Sequence, residues 1–305
     1  MVLSIIIPTK DRKDIFDETL RNALAAVDHI NAEVIVVNDS KKYTPQIPSF
    51  PGRCKLINNP NAGVASARNF GVKNSMGDIL LLLDDDIIIS RQSIDHILKL
   101  HQEYENGCFN VNWVYPTTLE NQLNQSAFGR FLKRHGMNHF KGWFNNPAWK
   151  DDALFEVANL ASFHLSISRI SFEKTGGYHE EFPFAGFEDY DFPVRMKRAS
   201  LRCFIDSRVM VFHNESDRIQ ITNWLDNWTR RAISRKVAVN LGYRELTLHY
   251  SRRKTFVLIC LSGVQPILLW VLKLMPNTTM FDPLYDRLLS GIQAVRIFNG
   301  YRQNR

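Results

Sequence analysis

LLLLDDD, residues Leu80–Asp86, is the stretch on which the fold turns. Four leucines after Ile79 leave no polar face, so the segment reads as a strand buried on both sides. Such strands belong to parallel sheets covered by helices. The carboxyl end of this strand delivers three consecutive carboxylates. One acid there would serve as a cap or turn former, but three together repel, so positive charge is expected among them. Ligands of open α/β sheets bind outside the carboxyl ends of the strands. A hard divalent cation bridging a diphosphate is the natural partner, because Mg²⁺ and Mn²⁺ take oxygen ligands and share them with phosphates. The competing reading is an acidic surface turn, since short acidic motifs also arise by chance.

Around this stretch the pattern repeats. Leu3–Pro8 reads as a buried strand ending in a breaker, Val34–Val37 as a second and Lys55–Ile57 as a third. Ile15, Leu20, Ala23, Leu24 and Val27 recur at helical spacing, Ala65–Lys73 reads as a helix, and Ile94, Ile97, Leu98, His101 and Tyr104 mark another. Asn112–Phe155 is rich in Asn, Gln and aromatics and reads as irregular. Ala161–Ser168 alternates, and Cys203–Val211 reads as a further strand. Near Ile219 the character changes to helical, basic and then strongly apolar.

Bulk properties fit a globular chain of 305 residues, 45% hydrophobic and 23% charged. Cys54, Cys108, Cys203 and Cys260 stand apart, which argues against a zinc site or a disulfide framework and suits a reducing cytoplasm. No charged segment precedes a long apolar run at the start, so no secretory signal is expected. The net charge of +7 is unevenly placed: Arg218–Arg305 holds 14 Lys/Arg and 4 Asp/Glu, a net of +10, and the remainder holds 24 and 27, a net of −3. A basic segment of this kind suits an anionic membrane or a phosphate-bearing substrate. Nucleic acid is not expected as a partner.

Ser4–Arg12 (SIIIPTKDR), Val36–Ser40 (VVNDS) and Asn61–Gly71 (NAGVASARNFG), taken with LLLLDDD, stand in a diagnostic order and spacing. The chain resembles family 2 glycosyltransferases in these motifs, over roughly Val2–Asn214. The resemblance implies a GT-A fold: a Rossmann-like open mixed α/β sheet with helices on both faces. The expected division is a catalytic domain over 1–218 and a basic, apolar helical region over 219–305. Within the first, the nucleotide-sugar half covers about 1–110 and the acceptor half about 111–218.

The resemblance also implies roles. Pro8, Thr9 and Arg12 would lie beside the nucleotide. Asp39 would accept a hydrogen bond from the base, typically uracil. Asn61, Gly63 and Arg68 would flank the donor, although Arg68 also reads as a structural ion pair. Asp84 and Asp86 match the DxD motif, with Asp86 the direct metal ligand, Asp84 a ribose or metal contact, and Asp85 a further donor-side acid. Gly186–Arg195 (GFEDYDFPVR) resembles the ED motif. Inverting transfer needs a carboxylate to take the proton of the attacking hydroxyl. Asp189 fits that role by position, with Glu188 beside it, while Asp191 suits the dipole of a helix start. His213, in VFHNES, would complete the shell of Mn²⁺ or Mg²⁺.

The implied activity is transfer of one sugar from a nucleotide-sugar, a UDP-sugar, to a glycan or lipid-linked acceptor. Processive synthases carry QxxRW, and the nearest match, Gln220–Trp224, lacks the arginine. Two competing readings are a sugar-phosphate nucleotidylyltransferase and a non-catalytic glycan-binding scaffold. The first lacks its Gly-rich loop in PTKDR. The second conflicts with the intact acids.

Beyond Thr222, Leu225, Trp228, Ala232 and Ile233 share a face beside Arg230, Arg231, Arg235 and Lys236. SRRK (Ser251–Lys254) then precedes Thr255–Leu272, an uncharged run containing Gln265 and Pro266. A spanning helix needs about 20 apolar residues. This run is marginal, and Pro266 predicts a break giving a re-entrant or in-plane helix pair. The alternative is a hairpin buried in the protein or against a second copy in a homo-oligomer. The expected location is cytoplasmic, peripheral or monotopic on the inner face of the cell membrane.

Overall fold

The computed structural model describes residues 2–48 and 53–303. Met1 and Arg305, the outer limits of the two expected domains, lie outside the described residues. The first half alternates as its pattern predicts: β1 (Leu3–Thr9), α1 (Asp14–Ala26), β2 (Ala32–Asn38), β3 (Cys54–Asn58), α2 (Val64–Lys73), β4 (Ile79–Leu83), β5 (Ile87–Ile88) and α3 (Arg91–Glu103). Then follow β6 (Gly107–Val114), α4 (Thr117–Asn124), α5 (Ala127–Arg134), α6 (Phe140–Phe144), β7 (Leu154–Glu156), β8 (His164–Ser168), α7 (Arg169–Thr175), α8 (Glu188–Arg198) and β9 (Arg202–His213). Three long helices close the chain: α9 (Ile221–Asn240), α10 (Arg252–Leu274) and α11 (Asp282–Arg302).

The strands form one open mixed sheet in the order β3-β2-β1-β4-β8-β6-β9-β5, with β7 also on β9. The strands β1 to β4 run parallel, and β8 joins β4 antiparallel. β1 and β4 are buried at every residue, as expected of central strands under helices. Helix α2 lies close on the sheet because Gly71 has no side chain. A Cβ there would stand 2.3 Å from Ile6 Cγ2 and 3.0 Å from Val37 Cγ2.

The chain divides into two compact units. The first comprises 1–116, 139–180 and 188–215 and holds the whole sheet. Its far side packs Leu100, Phe109 and Phe204 together, with the two phenyl rings stacked at 5.6 Å. The second comprises 117–138, 181–187 and 216–305. In it, α5 joins α11 through Arg130 and Arg134, which pair with Asp282 at 2.8 and 2.5 Å. The 181–187 segment joins α9 through Ser234 Oγ, which donates to the Phe184 carbonyl at 2.8 Å.

Two expectations need correction. Asn112–Phe155 is not irregular: it holds the end of β6, three short helices and β7. Phe128, Phe131 and Leu132 of α5 are buried at helical spacing, and Ser126 caps the helix on the Gly129 N–H, but eight residues are too few for the period to stand out. Finally, Thr255–Leu272 lies in one uninterrupted helix, α10, and not in a pair. Pro266 removes a single backbone donor, and the helix continues through it.

Candidate active site

The three acids follow β4 directly, and the chain re-enters the sheet at once as β5. That two-residue strand pairs with the end of β9, Ile87 opposite His213, and the Asn214 N–H donates to the Asp86 carbonyl at 2.8 Å. Strand pairing therefore sets Asp86 beside His213, 127 positions apart in sequence. His213 Nε2 lies 3.3 Å from Asp86 Oδ1 and 3.8 Å from Glu215 Oε1. Ligand atoms of Asp86, His213 and Glu215 all fall within 4.8 Å of one another. Burial alone would lower the His213 pKa, but Glu215 and Asp86 overcome it and raise it to about 9. The pocket thus favours a positive charge at this spot. Around it, the Tyr115 hydroxyl donates to Glu215 Oε2 at 2.6 Å, and the Trp113 ring meets the imidazole edge-on at 4.8 Å.

Part of the positive charge expected among the acids is supplied by the protein itself. Arg12, with 4% of its side chain exposed, reaches Asp85 and Asp86, each at 2.7 Å. Thr9 Oγ1 donates to Asp85 Oδ2 at 2.7 Å. Both Asp85 oxygens are therefore engaged within the protein. Thr9, Arg12 and Asp85 tie the end of β1 to the acid turn. Pro8 is buried in β1 opposite Val37 and contributes backbone shape.

Arg68 makes the second internal pairing. From α2 it reaches Asp84 Oδ1 at 2.8 Å and Glu188 Oε1 at 3.3 Å, with 2% of its side chain exposed. Burial works against its charge, but Asp84 and the other nearby acids outweigh that and raise its pKa. Burial pushes the Asp84 carboxyl above its usual range while Arg68 pulls it back, and its side chain keeps 34% of its surface open. The Nε of Arg68 has no hydrogen-bond partner among the described residues.

Asp189 opens α8 next to Glu188. Ser162 Oγ donates to Asp189 Oδ1, and the Tyr178 hydroxyl lies 2.6 Å from Ser162 Oγ. Burial raises the Tyr178 pKa, so the phenol stays protonated and donates to the serine. Asn69 fixes Tyr178 by exchanging hydrogen bonds with its backbone, 2.8 Å each way. Asp191 pairs with Arg195 at 2.6 Å, four residues on, which is a structural role.

Asp39 is mostly covered. Its Oδ1 accepts from Asn59 Nδ2 at 2.7 Å and from the Gly63 N–H at 3.0 Å, while Lys10 lies 3.0 Å from Oδ2. Gly63 adopts φ 120°, open to glycine, at the N-cap of α2. Asn61 is exposed in the same turn. Gln220 and Trp224 lie in the helical unit, where Trp224 packs edge-on to Phe131 at 5.4 Å. The sequence reading missed Ser162 and Glu215. Glu215 stands two residues beyond His213, a signal available in VFHNES. Ser162 had none.

An open mixed sheet, parallel in its first half, with helices around it and a carboxylate cluster at its strand ends, has the architecture of a GT-A fold. The sequence model of glycosyl transferase family 2 matches residues 4–159, and the chain belongs to that family. An uncharacterised glycosyltransferase of Haemophilus influenzae is 34% identical over 127 residues, 41% of each chain. An O-antigen biosynthesis protein of Myxococcus xanthus is 22% identical over 70% of this chain and 17% of its own length. The chain thus spans less than two thirds of either relative. Among solved structures, the mannosyltransferase PcManGT from Pyrobaculum calidifontis, in complex with GDP-Man and Mn²⁺, shares the fold. Its TM-score is 0.53 at 15% identity, over 97% of this chain and 87% of that one.

Proposed function

We propose that this chain transfers a single sugar from a nucleotide-sugar, a UDP-sugar, to an acceptor hydroxyl with inversion. The setting is surface polysaccharide, lipopolysaccharide or related glycan biosynthesis, a reading supported by the O-antigen relative. The observation that carries the reaction is the bridge made by Arg68. It links Asp84 of the acid turn to Glu188 of the ED segment, and so joins the two motifs in one site.

Asp189 takes the proton of the attacking hydroxyl, because it is a carboxylate beside that bridge whose orientation Ser162 fixes. Asp86, His213 and Glu215 would hold a divalent cation, Mn²⁺ or Mg²⁺. Two carboxylates and an imidazole within 4.8 Å, with a pull toward positive charge, fit such an ion. When bound, the cation supplies charge against the departing diphosphate. Asp84 faces the ribose side, and Arg68 holds it there. Asp39 orients the base through the turn it braces.

The acceptor is a glycan or a lipid-linked glycan. An anionic membrane surface is a further partner, with the enzyme at the inner face of the cell membrane. α10 is long and apolar enough to cross a bilayer by length and composition. The test is release of nucleotide from a panel of nucleotide-sugars with Mn²⁺ or Mg²⁺, and with chelator. Metal-dependent release from a UDP-sugar, stimulated by acceptor, is the expected result. Full activity in excess chelator would remove the metal from the reading.

A further inference from the structure

We propose that α10 lies in the plane of an anionic bilayer as a half-inserted helix and does not cross it. This rests on the membrane reading above and adds the manner of contact. One side of α10 is closed by the protein. Leu258 is buried with Val295 and Phe298 of α11, Ser262 Oγ reaches Asn299 Oδ1 at 3.3 Å, and Gln265 accepts from Arg296 Nε at 2.7 Å. Leu272, near the far end, is buried too. The opposite side is bare. Phe256 is 69% exposed, Ile259 51%, Ile267 60%, Trp270 61% and Leu274 60%. Phe256, Cys260, Gly263, Ile267, Trp270 and Leu274 follow one another at three- and four-residue steps, which makes a continuous stripe along the helix.

Length does not choose between the two geometries. Twenty-three residues make a helix of about 34 Å, enough to cross a hydrocarbon core of about 30 Å. Packing does choose. A crossing α10 would either leave α11 or draw it into lipid. α11 carries Asp282, Asp286 and Arg296. They pair with Arg130, Arg134 and Asp226 of the same unit. Ionised groups of this kind are strongly disfavoured in hydrocarbon. Insertion to the depth of the exposed stripe costs none of these pairs.

Charge selects lipid over a second copy of the chain. Arg252, Arg253 and Lys254 stand exposed at one end of α10 and Lys273 at the other, with no formal charge between them. Two such helices face to face would oppose cation to cation in either orientation. An anionic headgroup layer neutralises both ends while the stripe enters the acyl boundary.

The test uses the full chain and vesicles of phosphatidylglycerol and phosphatidylethanolamine. His249→Cys and Thr278→Cys, made singly with Cys54 and Cys260 replaced by Ser, place a thiol at either end of α10. Both should react with an impermeant maleimide added outside, with and without vesicles. The native Cys260, in the stripe, should become protected, and Trp270 should be quenched by lipids brominated near the glycerol end of the acyl chains. Replacing Arg252, Arg253 and Lys254 by Gln should weaken vesicle binding by roughly two orders of magnitude. Protection of one end alone would show a crossing helix and overturn the proposal. Bound protein with Cys260 still reactive would overturn it as well, by assigning the contact elsewhere. A chain that dimerises through α10 and ignores the vesicles would instead overturn the membrane reading itself.

Discussion

At the ends of β1 and β4, Arg12 reaches Asp85 and Asp86 with 4% of its side chain exposed. On the helical unit, Arg134 reaches Asp282 and Asp286 with 34% exposed. The pairings look alike, but their settings differ. The first set is sealed from water, where an unpaired charge is costly and a partner must be present. The second is partly open to solvent at Arg134 and Asp286, where each pair contributes less. The sheet unit concentrates acids, binds two arginines among them and sets His213 beside Asp86 and Glu215. The helical unit carries the chain's excess of basic residues and an uncovered apolar stripe.

The largest expected effect lies at the acid turn. Asp86→Ala removes a carboxylate on which His213 and Glu215 converge, while Arg12 keeps Asp85. Metal-dependent turnover should fall to background with the circular dichroism spectrum unchanged. Turnover that survives and still answers to Mn²⁺ would move the metal elsewhere. Asp189→Asn keeps the shape and the Ser162 contact but cannot take a proton. It should lower kcat by ~10²–10⁴-fold with little change in donor KM. A near-normal kcat at saturation would assign the base to another group.

The comparison of ion pairs can be sharpened by denaturation in urea. Arg68→Leu strands Asp84 and Glu188 and should cost ~3–5 kcal/mol. Arg134→Leu should cost no more than ~1 kcal/mol, because Arg130 still holds Asp282. Equal losses would erase the distinction between the two settings.

A smaller effect concerns acid stability. His164, in β8 with neither ring nitrogen hydrogen-bonded among the described residues, has its pKa lowered to about 4 by burial, and His101 likewise. The unfolded chain takes up these protons near pH 6.5 and the folded one only near 4. Stability is therefore full above about 6.5 and declines as the pH falls toward 4. His164→Leu should flatten part of that slope in melting curves taken from pH 7 to 4. An unchanged slope would show that His164 does not contribute to it.

Legibility followed the range of the forces involved. Leu80–Leu83 is apolar on both faces, so its place at the sheet's centre was readable from periodicity. The acids after it, and the ED segment, were readable as motifs. Ser162 was not, because its role depends on meeting Tyr178 and Asp189, and an isolated serine carries no pattern. The helix at Ala127–Arg134 was hidden by its length, and the persistence of α10 through Pro266 by the packing of α11 along its flank.

By itself the chain's order of residues determined the alternating architecture, the clustering of acids at a strand end, the family resemblance and the lopsided charge. These depend on neighbours in sequence and on burial of apolar surface, which local pattern encodes. Only the tertiary structure decided which acids are spoken for. β5 pairing with β9 brought His213 to Asp86, and α2 carried Arg68 to both Asp84 and Glu188. The two arginines neutralised acids that looked free in sequence. Charge acts through space over a few ångströms, so its partners are set by chain crossings that no linear spacing records.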